Sequence, residues 1–351
     1  MENQTSGNIK IMTKKSSVKI AVVGATGNVG RTILQILAER GYPAQNITAV
    51  ASNRSTNRSV SYGDNDVLAV QPLPNFDFSG YDIGLFSPGG EVSAEYAPKA
   101  AAQGCIVIDN TSHFRMDQDI PLIIPEINAK ALELHKKRNI IANPNCSTIQ
   151  LLMVLKPLHD IAKIKRVVVS TYQSVSGAGQ EAMEELTYQT KGLFTNTTVA
   201  PACFSKPIAF NVIPQIDVFM DDGSTKEEWK MMVETHKILD PSIQLTATCV
   251  RVPVYIGHSV SANIEFDSAI SPAQARQALR KFKGITVMDD PDNLSYATPL
   301  DGAGDDDVFV SRIRRDASVD HGLNLWVVSD NVRKGAALNA IQIMECLLST
   351  Q

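Results

Sequence analysis

The sequence predicts an α/β protein: a doubly wound, mostly parallel sheet first, then an α+β domain, then a C-terminal helix that returns to the first domain. Three observations carry this. From residue 18 to 146, short apolar runs alternate with amphipathic stretches, the rhythm of right-handed strand–helix–strand crossovers. Beyond residue 146 the strand-like runs lengthen and the alternation stops, as segregated α+β elements require. The length of 351 residues also exceeds one ordinary domain, taken at roughly 100–200 residues each.

Residues 18–23 form an apolar run ending in glycine, suited to a strand buried in a parallel sheet. Val29, Ile33, Ile36 and Leu37 then share one helical face, and Gly41 is a fitting stop. Further strands are expected at 47–51, 82–86 and 105–108, with helices at 93–103 and 127–137. In the second half, strands are expected at 165–172, 244–252 and 259–266, and helices at 181–189 and 272–282. The amphipathic run 332–348 is the returning helix. The expected domains are 18–146, completed by 330–351, and 147–329. Residues 1–17 are polar, lysine-containing and without an apolar core, so they read as a disordered extension and not as a secretory signal.

Composition excludes several classes. A net charge of −4 and a pI near 5.9 give no basic footprint for nucleic acid or an anionic membrane. No stretch reaches the roughly 18 apolar residues of a membrane span. The five cysteines lack Cys-x-x-Cys spacing, so neither a disulfide framework nor a metal site is expected. The acidic run 301–307 lacks the spacing of a calcium loop and reads as a solvated turn. A cytoplasmic enzyme is the expectation.

Two motifs carry chemistry. Immediately after the first strand comes Gly24-Ala25-Thr26-Gly27-Asn28-Val29-Gly30, opening the first helix. Glycines there permit a tight turn and let a pyrophosphate approach backbone N–H groups at the helix start. Glycine-rich turns also serve purely structural ends, but this position in a βα unit favours a dinucleotide, with Gly24, Thr26, Gly27, Asn28 and Val29 as contacts. No carboxylate lies between Glu39 and Asp64 to bind a ribose 2′-hydroxyl; Ser52-Asn53-Arg54-Ser55 stands where one would be expected. Arg54 and Ser55 suit a 2′-phosphate, which favours NADP over NAD, the alternative being a solvated loop. The second motif is Asn143-Pro144-Asn145-Cys146-Ser147-Thr148, between an apolar strand and a helical run. A thiol at a helix N-terminus feels the positive end of the dipole, which favours the nucleophilic thiolate. Cys105, Cys249 and Cys346 sit in apolar patterns and read as packing residues, while the role of Cys203, in a proline-rich loop, stays open.

With these and further motifs in order, the chain resembles the bacterial aspartate-semialdehyde dehydrogenase family from about residue 18 almost to its end. The carrying segments include Phe86-Ser87-Pro88-Gly89-Gly90, Asp109 to Arg115, Thr171-Tyr172-Gln173-Ser174-Val175-Ser176-Gly177, Asn211 to Asp217, Glu227-Glu228-Trp229-Lys230, Arg251 with His258 seven residues on, and Ser329-Asp330-Asn331. The resemblance implies a Rossmann-like first domain and NADP-dependent, reversible reduction of aspartyl phosphate to aspartate semialdehyde with release of inorganic phosphate. That step lies on the route to lysine and diaminopimelate, threonine and methionine. It implies Cys146 as the nucleophile that carries a thioester, Gln173 as the group holding substrate near it, and His258 as general acid–base. Arg115 and Lys230 would bind phosphate; Arg251, with Glu227, would grip the carboxylate and ammonium of the amino acid. Ser176, Gly177 and Asn331 would contact the cofactor, and a homodimer is implied. The chain carries Thr111 and His113 where the family pattern has smaller residues, and His113 so near Arg115 could alter the pH dependence of phosphate binding.

The nearest rival is an N-acetyl-γ-glutamyl-phosphate reductase, whose acylated substrate has no ammonium for Glu227 to pair. A silent NADP-binding regulator would be expected to lack the thiol, the glutamine or the histidine. A Cys–His hydrolase would have no use for the nucleotide turn.

Overall fold

A computed structural model describes residues 16–53 and 58–350. The expected Arg54 and Ser55 contacts, and residues 1–15 of the extension, lie outside the described residues. The chain forms two compact units, one running to Pro144 and resuming at Ala336, the other Asn145–Gly335. The division falls between Pro144 and Asn145, two residues before the expected boundary, because Asn145 caps the helix that Cys146 begins and belongs with it.

In the first unit the described strands order β3-β4-β2-β1-β5-β6-β7. These are β1 (Ile20–Val23), β2 (Ile47–Ala51), β3 (Ser59–Tyr62), β4 (Asp66–Pro72), β5 (Ile83–Phe86), β6 (Ile106–Asp109) and β7 (Ile140–Ala142). All neighbours pair in parallel except β3 with β4, a hairpin that the sequence reading did not anticipate. β1 is central and fully buried, so its run Ile-Ala-Val-Val shows no alternation. α1 (Asn28–Glu39) turns Ile33, Ile36 and Leu37 inward, and α2 (Gly90–Ala102) buries Ala97, Ala100 and Ala101. Residues 127–137 do not form the expected α-helix. They hold the end of a short helical turn, Pro125–Asn128, followed by a 3-10 segment, Ala129–Lys137.

The second unit holds a mixed sheet, ordered β11-β14-β15-β10-β8-β9. Its strands are β8 (Ile164–Gln173), β9 (Gln244–Arg251), β10 (His258–Phe266), β11 (Ile285–Val287), β14 (Val308–Asp316) and β15 (Gly322–Ser329), with β12 (Asp289–Asp290) and β13 (Ser295–Tyr296) as a separate ribbon. Its helices are α3 (Cys146–His159), α4 (Gln180–Thr195), α5 (Lys226–Ile238) and α6 (Pro272–Lys281). α3 is buried almost all round, as its run Ile149-Gln150-Leu151-Leu152-Met153-Val154-Leu155 requires. α5 and α6 each start with a capping box, from Thr225 and Glu228 and from Ser271 and Gln274. The helix expected at 332–348 begins instead with a π-helical turn, Arg333–Ala337, before α7 (Leu338–Thr350). α7 returns to the first unit, where Leu338, Ile341, Met344 and Leu347 join Ile33 and Leu37 in one core.

In the acidic run, Asp301 caps the short helix Pro299–Gly302, Asp306 pairs with Arg333 at 2.8 Å, and Asp307 accepts from Thr286.

Candidate active site

In the first unit the glycine turn joins β1 to α1. Gly24 adopts φ +87° and its N–H bonds to the carbonyl of Val50 at 2.9 Å, which sharpens the turn. A Cβ on Gly24 would collide with the main chain of Ser87, and one on Gly30 with that of Gly24. Gly27 is the N-cap of α1; it offers no side chain to the first turn, and that turn contains no acidic residue. The result is a helix start bare of side chain and of negative charge, a cradle suited to an anion. Ser52 and Asn53 follow β2 and are exposed.

Arg115 is buried in the same unit. Its Nε donates to the carbonyl of Asn143 at 2.9 Å and its Nη2 to that of Asn110 at 3.0 Å. Thr111 donates to Asp109 Oδ2 at 2.6 Å, and burial raises the Asp109 carboxyl pKa despite the hydrogen bonds from Thr111 and Ser93. His113 stands edge-on to Phe114, with ring centroids 4.6 Å apart.

In the second unit Cys146 opens α3, half-buried. Asn145 caps that helix: its Oδ1 accepts from the N–H groups of Ser147 (2.9 Å) and Thr148 (3.3 Å). The cap is itself held. Asn145 Nδ2 donates to Glu227 Oε1 at 2.9 Å, and its backbone N–H to Glu234 Oε2 at 2.7 Å. Glu227 and Glu234 lie seven residues apart on α5, two turns along one face, and both are buried. Gly335 packs close against the thiol residue; a Cβ there would lie 2.8 Å from Cys146 Cβ and 3.2 Å from its Cα.

Gln173, at the end of β8, donates to Glu227 Oε1 at 3.3 Å, so one carboxylate oxygen takes both the cap and the glutamine. The other oxygen takes Lys230 at 3.2 Å, and Lys230 also donates to Asp217 at 2.7 Å. Burial lowers the lysine's pKa, but Glu227 and Asp217 outweigh it and the net shift is upward. Glu227, expected to meet a substrate ammonium, thus already binds Asn145, Gln173 and Lys230. A carboxylate has about four lone-pair sites, so it retains room for one donor more.

Arg251 ends β9 and donates from Nη1 to the carbonyl of Ser174 at 2.7 Å. Its pKa is lowered, chiefly by burial, against the opposing pull of Glu227 and Cys146. The ring of Phe204 lies 5.9 Å from its guanidinium carbon. His258 opens β10, fully buried, with Nδ1 3.1 Å from the N–H of Ser174 and Nε2 without a partner among the described residues. Burial first, then the charge of Arg251, pushes its pKa well below the usual imidazole value. Asn331 Oδ1 accepts from Gly257 N–H, Ser174 Oγ and Ser176 Oγ, at 3.0, 3.0 and 3.2 Å. Asn331, expected to touch a cofactor, is therefore tied into this internal network. Gly177 is bare beside it; a Cβ there would lie 3.2 Å from both Arg251 Nη1 and His258 Nε2.

The second unit thus gathers Cys146, Gln173, Glu227, Lys230, Arg251 and His258 around one network. The sequence reading missed Ser174, Glu234 and Gly335. Glu234 was open to discovery from the Thr225–Glu228 capping box, which marks α5 and puts residues 227 and 234 on one face. Nothing in the sequence marks Ser174 or Gly335. Cys105 and Cys249 are fully buried, and burial pushes the Cys105 thiol up to about 12 and that of Cys249 higher. Cys203 is exposed. Among the described residues no group of histidines, cysteines or carboxylates could hold a metal ion.

Two family models match the chain: the semialdehyde dehydrogenase NAD binding domain over residues 19–135, and the semialdehyde dehydrogenase dimerisation domain over residues 155–334. The architecture is that of a nucleotide-binding semialdehyde dehydrogenase. An aspartate-semialdehyde dehydrogenase of Aquifex aeolicus is 50% identical over 332 residues, covering 94% of this chain and 98% of its own. The crystal structure of aspartate semialdehyde dehydrogenase II from Vibrio cholerae complexed with ASA is 49% identical, with a TM-score of 0.91 over 94% of this chain and 98% of that one. The aspartate semialdehyde dehydrogenase with NADP from Candida albicans is 26% identical, with a TM-score of 0.72 and the same coverage. This chain belongs to the aspartate-semialdehyde dehydrogenase family.

Proposed function

We propose that the chain catalyses the reversible, NADPH-dependent reduction of L-aspartyl 4-phosphate to L-aspartate 4-semialdehyde and inorganic phosphate, through a thioester on Cys146. The observation that carries this is the thiol at the first position of a capped helix, held among Gln173, Glu227, Lys230, Arg251 and His258, in a chain half identical to enzymes of that name.

The Cys146 thiolate attacks the acyl carbon of aspartyl phosphate. A carbon–sulfur bond forms, the bond to the phosphate oxygen breaks, and phosphate leaves. Lys230 and Arg115 are the cations assigned to phosphate, and Arg251 to the substrate carboxylate, which a guanidinium binds through two parallel hydrogen bonds. Gln173, fixed by Glu227, orients the reacting acyl group. The residues present fit a dinucleotide: a Cβ at Gly24 or Gly30 would strike main chain, and Gly24, Thr26, Gly27, Asn28 and Val29 would hold the pyrophosphate. When bound, the nicotinamide supplies the hydride that converts the thioester to the aldehyde. Ser176, Gly177 and Asn331 are assigned to the cofactor, the last through its placement of Ser176. The absence of a carboxylate from the sequence between Glu39 and Asp64, with Arg54 and Ser55 in that stretch, favours NADP over NAD.

The protein acts as a homodimer in the cytoplasm. Phe194, Phe210, Val218 and Phe219 are each more than 60% exposed in the second unit, an apolar surface of the kind a partner subunit covers. No described helix is long and apolar enough to cross a membrane.

The test is NADPH formation from L-aspartate 4-semialdehyde at neutral pH, with and without phosphate, and with NAD in place of NADP. Phosphate-dependent turnover with NADP is expected. Equal turnover without phosphate would mean a hydrolytic aldehyde dehydrogenase. Turnover only of the N-acetylated five-carbon semialdehyde would mean the rival reductase.

A further inference from the structure

α7 carries one residue that core packing does not explain. Leu338, Ile341, Met344 and Leu347 build the apolar core of the first unit, as one face of a docked helix should. Asn339 stands among them, fully buried. An amide is costly to bury unless its polar atoms find partners. Its Nδ2 donates twice, to the carbonyl of Ile123 at 3.0 Å and to Asn143 Oδ1 at 2.7 Å. Two acceptors around one atom fix which end of the amide is the nitrogen. The first bond tethers α7 to the segment before the helical turn Pro125–Asn128. The second leads to a residue whose other groups are all engaged at the end of the sheet.

Asn110 and Asn143 follow β6 and β7, two parallel neighbours, at their C-terminal ends. Ligands of open α/β sheets bind beyond those ends. The N–H of Asn143 donates to the carbonyl of Asp109 at 2.8 Å, so backbone holds it on one side and Asn339 grips its side chain on the other. Its carbonyl is thereby aimed, and it accepts from Arg115 Nε at 2.9 Å. The Asn110 carbonyl accepts from Arg115 Nη2 at 3.0 Å. Asn110 is anchored separately, with its N–H and its Nδ2 both donating to the carbonyl of Phe86, at 2.9 and 3.1 Å. Two carbonyls on adjacent strand ends thus set the plane of the guanidinium, whose N–H groups leave in a rigid fork. One of the two is anchored by β5, and the other depends on α7.

We propose that Asn339 is a positioning residue for phosphate: through Asn143 it aims the Arg115 guanidinium, which gives the C-terminal helix a part in holding the anion. This rests on the assignment of Arg115 to phosphate made above, and it names what keeps that arginine in place. The relay is selective, because none of its members belongs to the glycine turn at the head of α1. Loss of the Asn339–Asn143 bond weakens phosphate and spares the dinucleotide. A merely structural amide would act otherwise. α7 shares its core with Ile33 and Leu37 of α1, so loosening that core disturbs the glycine turn along with everything else in the first unit.

The experiment is NADPH formation by the full-length protein from L-aspartate 4-semialdehyde, with inorganic phosphate varied, in wild type, Asn339→Leu and Asn143→Ala. Asn339→Leu keeps the bulk of the side chain and suits a helix, but removes both donated bonds. Asn143→Ala keeps the carbonyl that Arg115 uses and removes the side chain that Asn339 grips. Each variant should raise the KM for phosphate about 5- to 10-fold, the scale of one lost hydrogen bond. The kcat, the KM for semialdehyde and the NADPH dissociation constant should stay within about twofold. The double variant should be no worse than the more affected single one, because both cut the same relay. Equal weakening of phosphate and NADPH, or an unaltered phosphate KM, would reduce Asn339 to a core tether. If Asn339→Leu does not fold, Asn143→Ala decides alone, since it leaves the bond from Asn339 to Ile123 in place. Arg115→Ala checks the assignment beneath and should raise the phosphate KM further than either relay variant. If it does so while the relay variants do not, the relay alone fails. If Arg115→Ala leaves the phosphate KM unchanged, the assignment of Arg115 fails and takes the relay with it.

Discussion

α1 and α3 each start just after a strand and a turn in the chain, and the two starts are finished in opposite ways. At the head of α1 the cap is Gly27, which contributes no side chain, and the first turn has no acid. At the head of α3 the cap is Asn145, which takes two N–H groups and is anchored by Glu227 and Glu234. An open helix start accommodates an anion that arrives and leaves each cycle. A closed one holds a covalent nucleophile still, because its donors are already satisfied within the protein. The same piece of secondary structure becomes a docking point or a mounting according to one residue.

The largest effect expected from this contrast is at the mounting. Cys146→Ala should lower kcat by at least ~1,000-fold, the scale on which removing a nucleophile acts, while the NADPH dissociation constant from fluorescence titration stays within about threefold. Parallel loss of cofactor affinity would show that the two helix starts do not work separately. At the docking point, Gly30→Val puts a side chain against the Gly24 main chain. NADPH affinity should fall at least ~10-fold, about 1.4 kcal/mol, and an unaltered dissociation constant would remove the nucleotide from this turn. Asn145→Ala should cost about 1 kcal/mol of stability from the lost cap, a drop of about 2–4 °C in Tm for a unit of this size. It should also lower kcat ~10-fold through the misplaced thiol; an equal drop in Tm with no change in kcat would make the cap structural only.

The smallest effect concerns pH. His258 is depressed in the folded state, so below the unfolded imidazole value near 6.5 the unfolded chain binds a proton that the folded one refuses. Stability should therefore fall as pH drops below that value, by up to about 1.4 kcal/mol per pH unit from this residue. His159, lowered by burial and Lys163, adds a similar trend. Denaturant melts of wild type and His258→Gln between about pH 5 and 7 should differ in slope by the His258 share.

How much of this was legible depended on how local the cause is. β1, α1 and α3 could be read because each rests on its own apolar run and its own turn residues. The β3–β4 hairpin was missed: the alternation of β3, Ser59-Val60-Ser61-Tyr62, spans only four residues, and β4 exposes Asp66, Val67 and Gln71 with little alternation. β14 was missed where Arg312, at φ +55°, and a bulge between Ser311 and Arg314 break the two-residue period. The run 332–348 looked like one helix because a π turn keeps apolar spacing close to helical. The thiol could be read from its helix start alone, whereas Gln173, Arg251 and His258 became candidates only through family resemblance. Their setting depends on pairings across β8, β9 and β10, and sequence spacing does not encode which backbone N–H meets which ring nitrogen.

The press of Gly335 on Cys146 has a practical side. It bears on Cα and Cβ, atoms that serine and alanine possess too, so the seat of residue 146 survives removal of the sulfur. An inert protein made that way should soak up substrate without consuming it, which makes the Cys146→Ser form the natural bait for seeing the acyl phosphate in place before it reacts.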